Sequence, residues 1–363
     1  MAGPLVLAID GNSLVHRSFH SNARTEQRTA DGRPCWAVRG LLTQLVAAVE
    51  RVRPTAVVVG FDDPDASIRR DRWPQYKANR TEKLDTLVEQ LASAVEVLRE
   101  LGVAVIVPAG LEADDVLAST SALVRQLNGT TVIVTSDRDS FALIDDYTTV
   151  LRIINGGVEA SPMLTPGRLV MLLGIKPEQY RDFAALRGDA SDNLPGVRGI
   201  GPQSAARLLT EFGSARAAFD DLDGVRTKLG AGIAAKLADR AARASWELNC
   251  HVMSMHSDVD LGIDFNSGAG QLPLDPTRVD SVFRMQNLTW TVSDALRVLA
   301  DRDTPMPETI ATQPHATPHA VAVNEHDSRW GHTWPPHQGG YGSRPRLPKL
   351  PQRPAVEQLS LFD

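Results

Sequence analysis

Only two cysteines, Cys35 and Cys250, occur among the 363 residues of this chain, so no disulfide framework is implied and a reducing cytoplasm fits. No apolar run reaches the roughly 20 residues that a membrane-spanning helix needs, so no membrane partner is expected. The first ten residues, MAGPLVLAID, lack a basic segment and predict a β-strand, not a signal peptide. The net charge of −6 argues weakly against a nucleic-acid partner, but the places where Lys and Arg cluster matter more.

Residues 1–160 alternate apolar runs with segments of helical periodicity. The runs LVLAI, TAVVVGF, VAVIV, TVIVT and TVLRII predict strands, and residues near 38–51, 84–98 and 113–127 predict helices between them. This alternation predicts an α/β fold whose parallel sheet is covered by helices on both faces. Residues from about 165 to 300 are expected to be mostly helical.

Acidic residues follow most of the predicted strands, and two more lie in the segment RGDASDNLPG. Ligands of open parallel α/β sheets bind outside the carboxyl ends of the strands, so these side chains are expected to converge. Close carboxylates raise each other's pKa and therefore require a counter-charge. Because the ligands offer oxygen only, they favour Mg²⁺ or Mn²⁺ over Zn²⁺. Metal-assisted phosphodiester hydrolysis is the chemistry that such a site serves. Any one segment alone is explained by a helix N-terminus or a turn, but five together favour a site. The nine predicted ligands are Asp10, Asp62, Glu112, Asp114, Asp115, Asp137, Asp139, Asp189 and Asp192.

The clearest basic cluster is RRDRWPQYKANRTEK, residues 69–83. Positive charge interleaved with aromatic rings suits a passage for single-stranded nucleic acid, whereas the alternative is a solvated surface loop. Pro74 argues against one continuous helix in this segment. The predicted DNA contacts are Arg69, Arg70 and Tyr76.

The segment GVRGIG, residues 196–201, opens a predicted helix that continues PQSAARLL. Glycines permit close backbone approach, and amides at a helix N-terminus bind phosphate, so a helix–hairpin–helix grip on a duplex backbone is predicted within residues 184–209. The alternative is a plain helix–turn–helix corner. The predicted contacts are Gly196, Gly199, Ile200 and Gly201.

The composition changes after residue 302. The last segment holds 10 of the 23 prolines and five of the nine histidines, which predicts a disordered tail and not a domain. Its end, VEQLSLFD, is apolar with no core to join, which favours docking into a groove of a partner over chance hydrophobic residues. The residues predicted to dock are Gln358, Leu359, Leu361 and Phe362.

Together these segments resemble the bacterial 5′-nuclease family, which comprises the 5′→3′ exonuclease domain of DNA polymerase I and the stand-alone flap endonucleases. The motifs LAIDGNSLVHRSFH, GFDDPDASIRR, QYKANR, GLEADDVLAS, VTSDRDSFALI and LRGDASDNLPGVRGIG occur in order over about residues 5–300. The resemblance implies a PIN-like nuclease domain at 1–165 with a helical arch at about 66–95. It also implies a helical DNA-binding region at 166–301 with a helix-three-turn-helix element, followed by the tail at 302–363.

The resemblance also implies roles for individual residues. Positions that match the first five of the nine carboxylates build one metal site in the family, and those that match the last four hold the second, which implies two Mg²⁺ or Mn²⁺ ions. Lys77 and Arg80 match arch residues that contact the scissile phosphate, and Arg69 matches a similarly placed arginine. A K⁺ at the hairpin, a branched or nicked DNA duplex with a 5′ flap as substrate, and a monomeric state are further expectations. QLSLF looks like a peptide that binds the sliding clamp, and because no polymerase segment follows residue 300, a stand-alone enzyme of primer removal and repair is expected.

Three functions are compatible with this sequence. The first is a metal-dependent 5′ nuclease with flap endonuclease and 5′→3′ exonuclease activity on DNA. The second is a module that binds branched DNA without cutting it, which would have lost some of the nine carboxylates. The third is a PIN-type ribonuclease, which would use fewer acidic residues and lack the GVRGIG grip. The complete acidic set and the hairpin favour the first.

Overall fold

A six-stranded sheet lies at the centre of the computed structural model, which describes residues 3–265 and 268–301. Its strands are β1 Leu5–Asp10, β2 Ala56–Gly60, β3 Ala104–Ile106, β4 Thr130–Thr135, β5 Thr148–Arg152 and β6 Met163–Leu164. The order across the sheet is β3-β2-β1-β4-β5-β6, with β1 to β5 parallel and β6 antiparallel to β5. Two short strands, β7 Gly188–Asp189 and β8 Leu194–Pro195, pair separately. The predicted parallel sheet is confirmed; β6 was not predicted, because two residues are too few to show a period.

Helices connect and cover the strands. They are α1 Gly11–Asn22, α2 Trp36–Val52, α3 Ile68–Arg72, α4 Asp85–Leu101, α5 Ala113–Gln126, α6 Gly157–Ala160, α7 Pro166–Leu173, α8 Tyr180–Arg187, α9 Pro202–Phe212, α10 Ala215–Asp220, α11 Leu222–Leu229, α12 Ala231–Leu237, α13 Ala242–Val252, α14 Pro276–Met285 and α15 Val292–Ala295. Short 3-10 turns lie at Ala23–Thr25, Asp139–Leu143, Pro177–Gln179 and Thr289–Thr291, and Leu296–Ala300 is a π-helix. The predicted helices α2, α4, α5 and α9 are confirmed, and α3 ends before Pro74 as expected.

Hydrophobic clusters cover both faces of the sheet. On one face Leu7 and Ile9 of β1 pack with α1, α2, α4 and, from the far end of the described chain, Phe283 of α14. On the other face Ala8 of β1 packs with the helical region, including Phe183 of α8. Alternate residues of one strand thus serve opposite cores, as the pleat of a strand requires. The layered α/β arrangement predicted from the sequence is confirmed.

The described residues all lie in one compact unit. The predicted boundary between residues 165 and 166 stays a prediction. The tail 302–363 and its terminal peptide lie outside the described residues. Among the helices described, none is long and apolar enough to cross a membrane.

A fully buried glutamine joins α2 to α4. The N-terminus of α2 has no side-chain cap of its own. Instead Gln90 of α4, which is 0% exposed, accepts a hydrogen bond from the backbone N–H of Ala37 at 2.7 Å. One of the otherwise unpaired amides of the helix start is thereby satisfied from a neighbouring helix.

We predict that Gln90→Leu lowers the free energy of unfolding by about 1–3 kcal/mol, because a buried N–H loses its acceptor while the volume is nearly kept. Urea denaturation with an unchanged m-value checks this. The matched control is Gln126→Leu on the exposed end of α5, where a change within about 0.5 kcal/mol is expected. Equal stability of both variants would contradict the role of Gln90.

Candidate functional site

The carboxyl ends of three adjacent strands carry the first predicted ligands. Asp10 is the last residue of β1, which lies between β2 and β4. Asp62 follows β2 and Asp137 follows β4, each two residues beyond the strand. The parallel order of these strands therefore brings residues 10, 62 and 137 to one edge of the sheet.

Asp10 is buried and doubly held. One carboxylate oxygen accepts from the backbone N–H of Ser13 at 2.8 Å and caps α1, while the other accepts from the Thr135 hydroxyl at 2.8 Å. Burial raises the pKa of Asp10 to about 7 against these bonds, and the charges of Asp137 and Asp62 raise it further.

Burial and neighbouring negative charges also raise the pKa values of Asp114 and Asp139. Burial, followed by the charges of Asp137 and Asp10, raises the pKa of Asp114 well above its ordinary value. One Asp114 oxygen is buried without any hydrogen-bond partner. Burial also raises the pKa of Asp139 well above its ordinary value, with Asp137 and Asp189 contributing repulsion.

Mutual repulsion therefore links eight of the nine predicted ligands into one acidic cluster. The ninth, Asp115, is instead paired with Arg69. The members of the acidic cluster are Asp10, Asp62, Glu112, Asp114, Asp137, Asp139, Asp189 and Asp192.

Asp115 forms a buried, saturated pair with Arg69. The Arg69 guanidinium donates to both Asp115 oxygens at 2.7 Å. Its remaining N–H groups donate to Glu112 and to the backbone carbonyls of Val252 and Ser254. The Asp115 oxygens also accept from the backbone amides of residues 112 and 256, at 3.0 and 2.8 Å.

This pair changes the interpretation of both residues. Arg69 is 6% exposed with all its donors engaged, so it serves as an internal counter-ion, and a DNA contact by Arg69 stays a prediction that this placement does not favour. Burial alone would raise the pKa of Asp115, but the bonds and charge of Arg69 hold it below its ordinary value. With each oxygen accepting two N–H groups, Asp115 has no lone pair left here for an ion, and its ligand role stays a prediction.

Lys77 and Arg80 face the acidic cluster from the segment between α3 and α4. The Lys77 ammonium donates to Glu112 at 2.8 Å, and Arg80 forms an ion pair with Asp192. Burial lowers the pKa of Lys77, but the charges of Glu112 and Asp192 outweigh it and raise the pKa above its ordinary value. Both predicted catalytic cations thus lie at the site and stay charged at neutral pH.

Tyr76 does not present the stacking surface predicted for it. The side chain is 6% exposed and packs with Leu194 and Val252, while its hydroxyl donates to Glu112 at 3.0 Å. A DNA contact by Tyr76 therefore stays a prediction that this placement does not favour. Arg70, by contrast, is exposed.

The predicted hairpin joins β8 to α9. Gly196 packs so closely on residues 186 and 187 that any Cβ would overlap their backbone, and Gly199 has a φ of +80°. Gly199 and Gly201 are exposed, whereas the Ile200 side chain is 3% exposed and belongs to the core. Contact of Ile200 with DNA could therefore involve only its backbone. The ammonium of Lys236 donates to the Gly199 carbonyl at 2.7 Å, and a K⁺ at this place stays a prediction.

Two polar residues that support the site were not predicted. The Asn12 amide donates to Asp62 at 2.7 Å, and its oxygen accepts from the Asp62 backbone N–H at 3.1 Å. The Thr135 hydroxyl donates to Asp10. Asn12 follows Asp10 by two residues in the sequence, which was the available signal; Thr135 is the last residue of a buried strand and gave none.

The donor set fits a hard divalent cation, although the side chains are not arranged around one. Within residues 3–265 and 268–301, no three His, Cys, Asp or Glu side chains stand close enough to form a metal cage. The acidic cluster nevertheless offers oxygen ligands only, includes an unpaired buried oxygen on Asp114, and has raised pKa values that a cation would relieve. These properties match Mg²⁺ or Mn²⁺ better than Zn²⁺.

We predict that, in EDTA, Asp10 lowers the free energy of unfolding progressively as the pH rises from about 4 to 7. Asp10 loses its proton near its ordinary pKa of 3.8 when unfolded but near 7 when folded, so the folded state binds the extra proton in this range. Asp10→Asn should flatten the decline by at least about 1.4 kcal/mol, the equivalent of one pKa unit. Urea denaturation at pH 4.5 and 7.5 measures it.

The matched control is Asp223→Asn on the exposed side of α11, which should leave the pH dependence unchanged. If the free energy of unfolding of Asp10→Asn depended on pH as strongly as that of the wild type, Asp10 would not be the residue whose pKa is raised.

Comparison with known proteins places this geometry in a family. Residues 5–168 match "5'-3' exonuclease, N-terminal resolvase-like domain", and residues 175–275 match "5'-3' exonuclease, C-terminal SAM fold". DNA polymerase I of Mycobacterium bovis is 38% identical over 237 residues, which are 65% of this chain and 26% of that protein. The thermostable DNA polymerase I of Thermus aquaticus is 35% identical over 260 residues, 72% of this chain and 29% of that protein.

The chain therefore spans less than a third of the length of these relatives. Among solved structures, the T5 5'-exonuclease with bound zinc ions superposes with a TM-score of 0.55 at 20% identity, covering 81% of this chain and 99% of that one. This likeness concerns the fold. Because the two matched domains follow each other in order and together take up most of the described residues, the chain belongs to the 5'-3' exonuclease family of nucleases.

Proposed function

We propose that the protein is a structure-specific 5′ nuclease that hydrolyses phosphodiesters of branched or nicked DNA at a 5′ flap and also degrades DNA from 5′ ends. The observation that carries this proposal is the acidic cluster bordered by two charged cations, Lys77 and Arg80, at the carboxyl edge of the sheet. The products would be a 5′-phosphate and a 3′-hydroxyl. The cellular role would be primer removal and DNA repair, carried out by a monomer in the cytoplasm.

The residues of the cluster would hold two Mg²⁺ or Mn²⁺ ions. Residues 10, 62, 112 and 114, joined by Asp115 as the sequence predicts, would serve one ion, and residues 137, 139, 189 and 192 would serve the other. Bound there, the ions would supply Lewis acidity toward the phosphodiester and toward a water nucleophile. Asn12 and Thr135 would fix the directions of Asp62 and Asp10, as partners of metal ligands commonly do.

Lys77 and Arg80 would act on the reacting phosphate itself. Each neutralises a carboxylate of the cluster, and in the metal-bound enzyme both side chains would be free to face the phosphate. There they would stabilise the negative charge that develops on the phosphoryl oxygens. The exposed glycines of the hairpin would hold the duplex through its backbone, independently of sequence.

We predict that Asp114→Asn and Asp139→Asn each reduce flap release by more than about 100-fold, because each removes a ligand while leaving the duplex grip. The measurement is cleavage of an end-labelled 5′-flap duplex in Mg²⁺ or EDTA, with binding in EDTA followed by anisotropy. Asp223→Asn is the control and should cleave normally. Wild-type rates in both cluster variants would contradict the assignment.

The same assay distinguishes the other functions. Tight binding by the wild-type protein with no cleavage in Mg²⁺ or Mn²⁺ would favour the binding module. Faster cleavage of single-stranded RNA than of the flap would favour the ribonuclease.

We further propose that the terminal peptide binds the bacterial sliding clamp through Gln358, Leu359, Leu361 and Phe362. The support is its sequence, because these residues lie outside the described part of the chain. Deletion of residues 358–363 should abolish retention on an immobilised clamp and leave cleavage of a free oligonucleotide unchanged. Undiminished retention would remove this proposal.

A further inference from the structure

Two separate segments near the acidic cluster are tied together by reciprocal hydrogen bonds. The Asn79 amide donates to the Ala190 carbonyl at 2.8 Å. In the opposite direction, the Asn193 amide donates to the Gln75 carbonyl at 2.8 Å. A hydrogen bond in each direction thus joins residues 75–80 to residues 189–193, which are over 100 positions apart in sequence.

Further bonds lie between these two. The backbone N–H of Lys77 donates to the Asp192 carbonyl at 2.9 Å. Arg80 donates to the Ser191 carbonyl at 3.3 Å and forms its ion pair with Asp192. We call residues 75–80 and 189–193, so joined, the strap.

An apolar contact also stabilises the strap. Tyr76, in its first half, packs with Leu194, the residue that directly follows its second half, and both contact Val252 of α13. All three side chains are buried. Packing as well as hydrogen bonds therefore stabilises the strap.

The position of the strap connects two parts of the proposed function. Its first half carries Lys77 and Arg80, and its second half carries Asp189 and Asp192. The hairpin proposed to grip the duplex begins immediately afterwards, at residue 196.

We propose that Asn79 and Asn193 are positioning residues, which make the strap one mechanical unit and transmit duplex binding at the hairpin to Lys77 and Arg80. The proposal rests on the function proposed above. Neither asparagine touches the reacting phosphate; each acts through the backbone that carries the two cations. Asn193 suits this place, because its φ of +57° is one that asparagine tolerates better than most residues.

Hydrogen exchange in EDTA tests the transmission directly. The probe is a blunt DNA duplex without a flap, which can occupy the hairpin but leaves the strap without a strand to bind. In the wild-type protein we expect slower exchange at residues 196–201 and also at 75–80, where the Lys77 amide bonds across to Asp192. In Asn79→Ala and Asn193→Gly, protection should persist at 196–201 and be lost at 75–80.

A matched control separates the strap from a general effect of the substitution. Asn287 has a φ of +54° and donates to the Arg28 carbonyl at 2.8 Å, and neither residue belongs to the strap. Asn287→Gly therefore deletes the same kind of bond in the same backbone conformation, and glycine accepts both sites without strain. It should behave as the wild type.

Kinetics give a second measurement. Each strap variant should lower the single-turnover cleavage rate about tenfold with an unchanged Kd for the duplex, and the double variant should lose little more, since both bonds serve one unit. Unchanged protection at 75–80 in both variants would overturn the strap proposal. Absence of wild-type protection at 196–201 would instead overturn the duplex grip, and the strap proposal with it.

Discussion

Repulsion among carboxylates at one edge of the sheet is the constraint on which the site depends. Burial raises the pKa of Asp10, Asp114 and Asp139, and repulsion within this group of eight acidic side chains raises it further. The protein offsets this charge with its own cations, since Lys77 pairs with Glu112 and Arg80 with Asp192. The segment between α3 and α4 is thereby drawn onto the sheet edge, and the same electrostatic need would be met by divalent ions during function.

The Arg69–Asp115 pair serves a different purpose from the cluster that it borders. Its donors and acceptors are matched within the protein, so it has little to offer a ligand. Removing one partner of such a buried pair typically costs about 3–5 kcal/mol, because the other charge is left without compensation. The pair joins Glu112 to residues 252–256 and so fixes the position of this side of the acidic cluster.

The sequence predicted the sheet and the gathering of the acids for a physical reason. Buried parallel strands need long apolar runs, and the topology alone brings the residues after β1, β2 and β4 to one edge. The hydrogen-bond partners and the burial of each acidic side chain could not be predicted in the same way. The partners of Asp115 include Arg69 and the amide of His256, which is 141 residues away. No local pattern encodes such a contact, and for the same reason the burial of Tyr76 and Arg69 was missed.

Lys77 shows how the structure holds a residue of the site in a backbone conformation that its residue type disfavours. Its φ of +57° lies in the left-handed region, which costs a residue other than glycine about 1–3 kcal/mol and persists only where surrounding contacts impose it. Here the backbone N–H is bonded to Asp192 and the ammonium to Glu112, so each end of the residue contacts a different half of the acidic cluster. The bond at the backbone fixes the Cα independently of the contact at the ammonium. In the function proposed above, the side chain would therefore be free to turn toward a phosphate while its Cα stays where the strap places it.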